Sequence, residues 1–262
     1  MKALILNTGM QLKYSLFTIW VVAFISLSHA QTAEDYFKKG NEAYASENYQ
    51  EAVDAYTQAR EMGQESAALY YNLGNANYKL NRIAPSIYNF ERALELDPGD
   101  DDIRNNLAFA QNMTIDAITP LPQNTFNRWY QSILNLLSLD GWAIATVVFL
   151  LVFALSFIAY FFVFATSNKR LFFIGAFIAL FLGIGSLFLS FKTQERVDND
   201  RPAIVFSQQA EVRAEPKLSS DLAFTLHEGT KVLILKSDND WQQIRLADGK
   251  EGWIPHTDIK EF

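Results

Sequence analysis

The groups that could do covalent, acid–base or metal chemistry are sparse in this chain. It has three histidines, His29, His227 and His256, and no cysteine. No two histidines stand at the spacing of a metal site, and without thiolates a zinc ion would have too few ligands. No glycine-rich phosphate loop occurs. The carboxylates are plentiful but fall on helix-like segments, where paired acids are ordinary solvated surface rather than an acid and a base. These patterns predict no catalytic residue, no metal and no cofactor, and the chain is expected to be a non-enzyme. What remains is the chemistry of recognition, carried by asparagine amides and by aromatic rings.

Half of the 262 residues are hydrophobic and 21 are phenylalanine, yet 19% are charged. Such a mixture fits water-soluble parts joined to a membrane part. The net charge is −7, with 15 acids against 8 bases over Gln31–Arg128 and 10 against 8 over Arg201–Phe262. An acidic surface without clustered Lys and Arg argues against nucleic acid as a partner. The lack of cysteine excludes disulfides.

At the N-terminus, Lys2 and Lys13 precede an uncharged run, Tyr14–Leu27, and Ser28-His29-Ala30 offers a small-x-small cleavage site. Residues 1–30 read as a secretory signal peptide, starting at Met1 or Met10 and leaving Gln31 as the first mature residue. The alternative is a retained N-terminal anchor, for which the apolar run is short.

Placing Gly40 over Gly74 brings Tyr36 onto Tyr70, Asn41 onto Asn75, Tyr44 onto Tyr78, Tyr56 onto Phe90 and Ala59 onto Ala93. A 34-residue period is that of two antiparallel helices per unit. The second copy, with Tyr70, Leu73, Gly74, Tyr78, Phe90, Ala93 and Pro98, resembles the tetratricopeptide repeat. The first copy departs from that pattern at Lys39 and lacks the closing proline. A third helix, Asp101 to about Ile115, reads as a cap or as half of a third unit. The small residues let helices approach, and Tyr56 and Phe90 fill the space between units. Two and a half units stand near the lower limit of stability, so the module at residues 31–118 is expected to lean on a partner or on the segment after it. The resemblance implies a concave, partner-binding face lined by Asn41, Tyr44, Tyr71, Asn75, Tyr78, Asn105 and Phe109. Asparagines there can hydrogen-bond an extended peptide backbone; the alternative for the tyrosines is core packing. No ring of Lys and Arg lines this face, so capture of a C-terminal carboxylate is not expected.

Thr119-Pro120-Leu121-Pro122 breaks the helical run. Residues 119–141 then form a juxtamembrane segment. Its Trp129, Ile133, Leu136 and Leu137 recur at helical spacing over Asn127–Leu139. They suit either a helix lying among lipid headgroups or one packed on the repeats. Trp142–Ala165 and Leu171–Phe191 carry no charge over 24 and 21 residues. At about 1.5 Å per residue each can cross a hydrocarbon core of about 30 Å. Residues 166–170 are expected as the cytoplasmic turn, since Lys169 and Arg170 suit that side. Gly175, Ala179 and Gly183 recur every four residues as a face for helix packing in the membrane, against the first span or another protein. Neither span holds an ionisable group, which disfavours transport.

After a linker at 192–202, residues 203–262 turn to β-type text. Trp241–Leu246 alternates apolar and polar residues, Ala247-Asp248-Gly249-Lys250 marks a turn, and Gly252-Trp253-Ile254 opens the next strand. With Ala210-Glu211-Val212-Arg213, Pro216 and Leu226-His227-Glu228-Gly229-Thr230, this order resembles the bacterial SH3-like domain. Gly229 and Gly249 are expected to supply positive φ in turns. The resemblance implies peptide or cell-wall ligands, with Trp241 and Trp253 either as a ligand surface or as core residues.

The expected fold class is therefore multi-domain α plus small β: an N-terminal α-solenoid, a two-helix transmembrane hairpin and a C-terminal SH3-like β-barrel. In module order the chain resembles the BatE-type proteins of the bacterial aerotolerance operon. That resemblance implies protein partners, among them membrane proteins with von Willebrand A-type domains, and a role in oxidative or envelope stress. The expected location is the bacterial inner membrane, in contact with lipid, with both hydrophilic ends in the periplasm. Three readings stay open: a scaffold for a membrane complex, a sensor that binds peptidoglycan, and an accessory subunit of a transport path or channel.

Overall fold

The computed structural model describes residues 32–122 and 124–262. The signal peptide expected at residues 1–30 lies outside the described residues. Five helices form the N-terminal solenoid: α1 (Ala33–Ala45), α2 (Tyr49–Glu61), α3 (Ala67–Lys79), α4 (Ile83–Leu96) and α5 (Asp101–Gln111). Short polar residues start three of them. Thr32 forms a capping box with Asp35, the Ser66 hydroxyl accepts from the Leu69 amide, and Asp100 accepts from Asp102 and Ile103. The turns inside the two full units are equivalent, with Glu47 and Asn81, 34 positions apart, both left-handed at φ 61° and 57°.

The period seen in the sequence is a packing period. Tyr56 and Phe90 are each 1% exposed. Each lies against the backbone of the glycine that begins its unit's groove, Gly40 for Tyr56 and Gly74 for Phe90. Alanines 52, 59, 76 and 93 are fully buried where helices cross.

Beyond Pro120, α6 (Thr125–Leu134) leads to two long apolar helices, α7 (Leu139–Phe162) and α8 (Thr166–Asn199). The Trp142 indole of α7 donates to the Leu134 carbonyl at 3.2 Å, tying α7 to the end of α6. The expected boundaries shift. The turn occupies Val163–Ala165, whereas Thr166–Arg170 already belong to α8, which then runs through most of the residues expected as a linker. Helix α6 also stops short of the expected Leu139, because Ser138 caps the start of α7.

The buried stripe of α8 is Ala176, Ala179, Gly183 and Ser186. Its alternating three- and four-residue steps are those of two helices packed side by side. A Cβ on Gly183 would meet Leu150 and Phe149 of α7, whereas Gly175 faces open space and lies beside the stripe rather than on it. The strict four-residue spacing in the sequence drifts off the contact line, which explains the difference.

The C-terminal module is one antiparallel sheet of seven strands, β1 (Pro202–Val205), β2 (Gln209–Arg213), β3 (Leu222–His227), β4 (Lys231–Asp238), β5 (Trp241–Arg245), β6 (Glu251–Pro255) and β7 (Ile259–Glu261), in the order β3-β2-β6-β5-β4-β1-β7. Its core is aliphatic, including Val205, Val212, Ile244 and Ile254. Gly229 and Gly249 turn the chain at φ 86° and 88°.

The solenoid does lean on something, and it is this sheet. Ile204 of β1 is fully buried in the cluster that holds Ile87, Phe90, Ile103 and Leu107. Phe206 and Phe262 pack edge-on to Tyr88 of α4 with ring centroids 5.9 and 5.7 Å away. The β-module thus covers the apolar side of α4 and α5 where the second helix of a third unit would otherwise lie. The link after α5 joins the seam as well, since Ile118 packs on the β-core and the Leu121 amide donates to the Ala247 carbonyl at 3.0 Å.

Candidate ligand-binding surfaces

The first helices of the three units, α1, α3 and α5, are stitched by asparagines. Asn72 Nδ2 donates to Asn41 Oδ1 at 3.0 Å, and Asn106 Nδ2 donates to Asn75 Oδ1 at 2.9 Å. Both pairs span 31 residues, so the second repeats the first one unit later. Tyr56 donates its hydroxyl to the same Asn41 oxygen at 2.8 Å, and Asn106 also donates to the Tyr71 hydroxyl at 2.9 Å. Burial pushes the Tyr56 hydroxyl up to about 12, so it stays a neutral donor. Asn41 and Asn75 thus spend their carbonyls inside the stitch, while their own Nδ2 donors make no hydrogen bond among the described residues.

Beside this ladder, Tyr78 and Phe109 are exposed, 58% in the case of Phe109. Tyr44 is half-buried and meets Tyr49 edge-on at 5.3 Å. Tyr71 is half-buried and tilted on Phe90 at 5.9 Å. Asn105 is exposed and makes no hydrogen bond to the ladder among the described residues; its neighbour Asn106 does that instead. Sequence reasoning passed over Asn72 and Asn106, although the two recur at the 34-residue period and this signal would have found them.

On the β-module, Trp241 and Trp253 share one outer face. Gln243 pairs with Trp253, Trp241 lies two residues before Gln243, and the alternating positions Ile244 and Ile254 point into the core. Both rings are half-buried, and Trp253 pairs across to Arg213 of β2. The two histidines serve different ends. His256 is exposed, while His227 belongs to the seam between modules. There the Asp116 carboxylate accepts from the His227 amide at 2.7 Å and from the Thr230 hydroxyl at 2.6 Å, and lies 2.8 Å from His227 Nδ1. Burial works to raise the Asp116 carboxyl, but the hydrogen bonds from Thr230 and His227 outweigh it and hold it below the ordinary range. Nearby, Lys231 bridges to the buried Glu91 of α4 at 2.6 Å.

The tetratricopeptide-repeat family matches residues 37–101, and the bacterial SH3 domain family matches residues 209–260. Among curated proteins, the chain is 30% identical over 87 residues to YrvJ of Bacillus subtilis, which carries the name of an N-acetylmuramoyl-L-alanine amidase. That stretch is 33% of this chain and 16% of YrvJ. It is 44% identical over 62 residues to sperm-associated antigen 1 of Mus musculus, covering 24% of this chain and 7% of the relative. The chain therefore spans a small fraction of the curated relatives it matches. Among solved structures, the TPR2B-domain:pHsp70 complex of yeast Sti1 aligns at 27% identity and TM-score 0.29, over 42% of this chain and 75% of that one. YrrB, a TPR protein with an unusual peptide-binding site, aligns at 19% identity and TM-score 0.30, over 62% and 74%. The chain carries a tetratricopeptide-repeat module and a bacterial SH3 module, one on each side of a pair of long apolar helices.

Proposed function

We propose that this protein is a membrane-anchored, non-catalytic scaffold that holds a protein partner in its repeat groove on the outer side of the bacterial inner membrane. The groove carries the reading: two equivalent asparagine pairs with their carbonyls occupied, beside exposed Tyr78 and Phe109. That surface offers amide donors and broad aromatic area to an extended peptide, without a reactive group. The anchor is the helix pair, whose flanks leave residues such as Leu155, Phe161, Phe181 and Phe191 more than 60% exposed. Apolar area on that scale needs lipid or a partner against it. The core that the repeat and the SH3-like module share through Ile204 supports placing both on the same side of the bilayer. A hairpin of two spans satisfies that constraint, and the secretory signal read at residues 1–30 supports the periplasm as the side. The resemblance to BatE-type proteins supplies the partner class, membrane proteins with von Willebrand A-type domains, and the aerotolerance setting.

Two measurements test this. Alkaline phosphatase fused after Phe262 should be active, and activity of a cytosolic reporter there instead would overturn the topology. Crosslinking in intact cells, followed by extraction in mild detergent, should trap a membrane protein. Asn41→Ala with Asn75→Ala should cut that capture about tenfold, the effect of losing one to two hydrogen bonds to backbone carbonyls. Equal capture by wild type and variant would sink the groove assignment.

A second reading has its own observation: Trp241 and Trp253 stand on the outer face of a module related in sequence to YrvJ, which carries the name of an N-acetylmuramoyl-L-alanine amidase. In that reading the full-length protein in detergent co-sediments with purified peptidoglycan, and Trp241→Ala with Trp253→Ala abolishes it.

A further inference from the structure

All three parts of the molecule meet around a cavity of about 670 Å³. Its walls are the C-terminal half of α4, the α6–α7 connection, the last turns of α8, and the edge formed by Pro202, Lys231 and Leu233. The charges along it sort into two groups. Three cations are already satisfied: Lys231 by Glu91 at 2.6 Å, Arg92 by Glu95 at 2.7 Å, and Arg104 by Asp101. The fourth, Arg196, pairs with no acid among the described residues. Its Nη1 donates to Asn135 Oδ1 at 2.8 Å, which fixes the guanidinium, and its Nη2 is buried without a partner. A buried guanidinium N–H left unpaired costs free energy that an oxyanion would recover. Two exposed acids, Asp140 and Asp200, also border the cavity and form no ion pair among the described residues. Apart from Ser138 and Thr193, the remaining lining is apolar, with Leu94, Leu137 and Val197.

The level of these groups along the helices identifies what fits. Arg196 lies just past the apolar run that ends at Phe191, and Asp140 just before the one that begins at Trp142. In a bilayer-spanning hairpin both stand at headgroup depth. We infer that this cavity is a binding site for one zwitterionic, ethanolamine-type glycerophospholipid, its phosphate on Arg196, its ammonium toward Asp140 and Asp200, and its acyl chains along the apolar flank of the helix pair. A single unpaired cation suits one phosphodiester, and the acidic rim disfavours headgroups that are net anionic. The inference rests on the membrane-anchor reading above.

Native mass spectrometry of the full-length protein in mild detergent tests it, after delipidation and addition of an ethanolamine phospholipid or its glycerol-headgroup counterpart. Wild type should retain one ethanolamine lipid through activation. Arg196→Gln should lower retention about tenfold or more, the effect of losing one charge-assisted contact, and Arg196→Lys should restore part of it. Val197→Trp, which fills the cavity and keeps Arg196, should also abolish retention. Circular dichroism of each variant checks that it is folded. Equal retention by wild type and Arg196→Gln, equal retention of the glycerol lipid, or no retained lipid would each overturn the inference. Alkaline carbonate extraction of the same membranes separates the two ideas. Release of the protein into the soluble fraction defeats the anchor reading, whereas a protein that stays in the membrane and holds no lipid defeats this site alone.

Discussion

Gly74 faces Phe90 so closely that a Cβ would stand 2.6 Å from the ring. Replacing a mid-helix glycine with alanine ordinarily gains up to about 1 kcal/mol. Here the overpacking term, about 1–3 kcal/mol, should win, because Phe90 is 1% exposed and has nowhere to move. Gly74→Ala is therefore expected to lower the thermal midpoint of the detergent-solubilised protein, and a rise would contradict the packing described. Asp116 makes a different kind of point. It sits between the modules, and its three contacts reach residues 111–114 positions away. Asp116→Asn should cost about 1.5–3 kcal/mol at neutral pH, the range for hydrogen bonds to a charged group. The folded carboxyl titrates below its ordinary value, so its contribution is fully present above about pH 4 and is lost as pH falls through the lowered value. The gap between wild type and Asp116→Asn should accordingly hold from pH 7 to about pH 4 and narrow on further acidification. A gap that stayed constant would show that the carboxylate charge is irrelevant to the seam.

At the scale of elements, α8 separates residues that look alike in sequence. Gly183 contacts α7, whereas Gly175 faces open space. Gly183→Leu should loosen the α7–α8 hairpin by about 1–3 kcal/mol, read as a lower melting temperature in detergent. Gly175→Leu should change it little. Reversal of that order would mean that the buried stripe runs through Gly175 after all. The same contrast shows what the sequence could convey. The repeat helices were legible because their period is enforced by contacts between neighbouring units: Gly40 with Tyr56, Gly74 with Phe90. The strands were legible because one face is buried, so Ile244 and Ile254 alternate with Gln243 and Trp253. The stripe on α8 was only partly legible. Nearly every residue there is apolar, and polarity cannot distinguish a lipid-facing side from a helix-facing one. Of the groove, Asn41 and Asn75 stood out by alignment, whereas their partners Asn72 and Asn106, which recur at the same period, were passed over because the first unit has Lys38 at that place.

For the molecule as a whole, the seam between repeat and SH3-like module was the least legible feature, because it joins residues far apart in the sequence, such as Tyr88 with Phe206 and Asp116 with His227. Ile204, Phe206 and Phe262 look like strand residues of a small barrel, and nothing local marks them as belonging to another core. Their physical cause is the missing half-unit. A solenoid that stops after α5 leaves α4 and α5 with an uncovered apolar side, and β1 covers it. The barrel is in this sense the C-terminal cap of the repeats, delivered back across two apolar helices. Ile204→Asp in the full-length chain should then do more than weaken the barrel. A charge placed at this fully buried position of the shared cluster cannot be solvated, so undocking becomes the cheaper outcome. Hydrogen exchange should rise in α4 and α5 while α1 and α2 stay protected, because stability in repeat arrays is transmitted between neighbours. Should α4 keep its wild-type protection in that variant, the repeats would be stable without the barrel, and the proposal that both modules share one side of a membrane would lose its energetic basis.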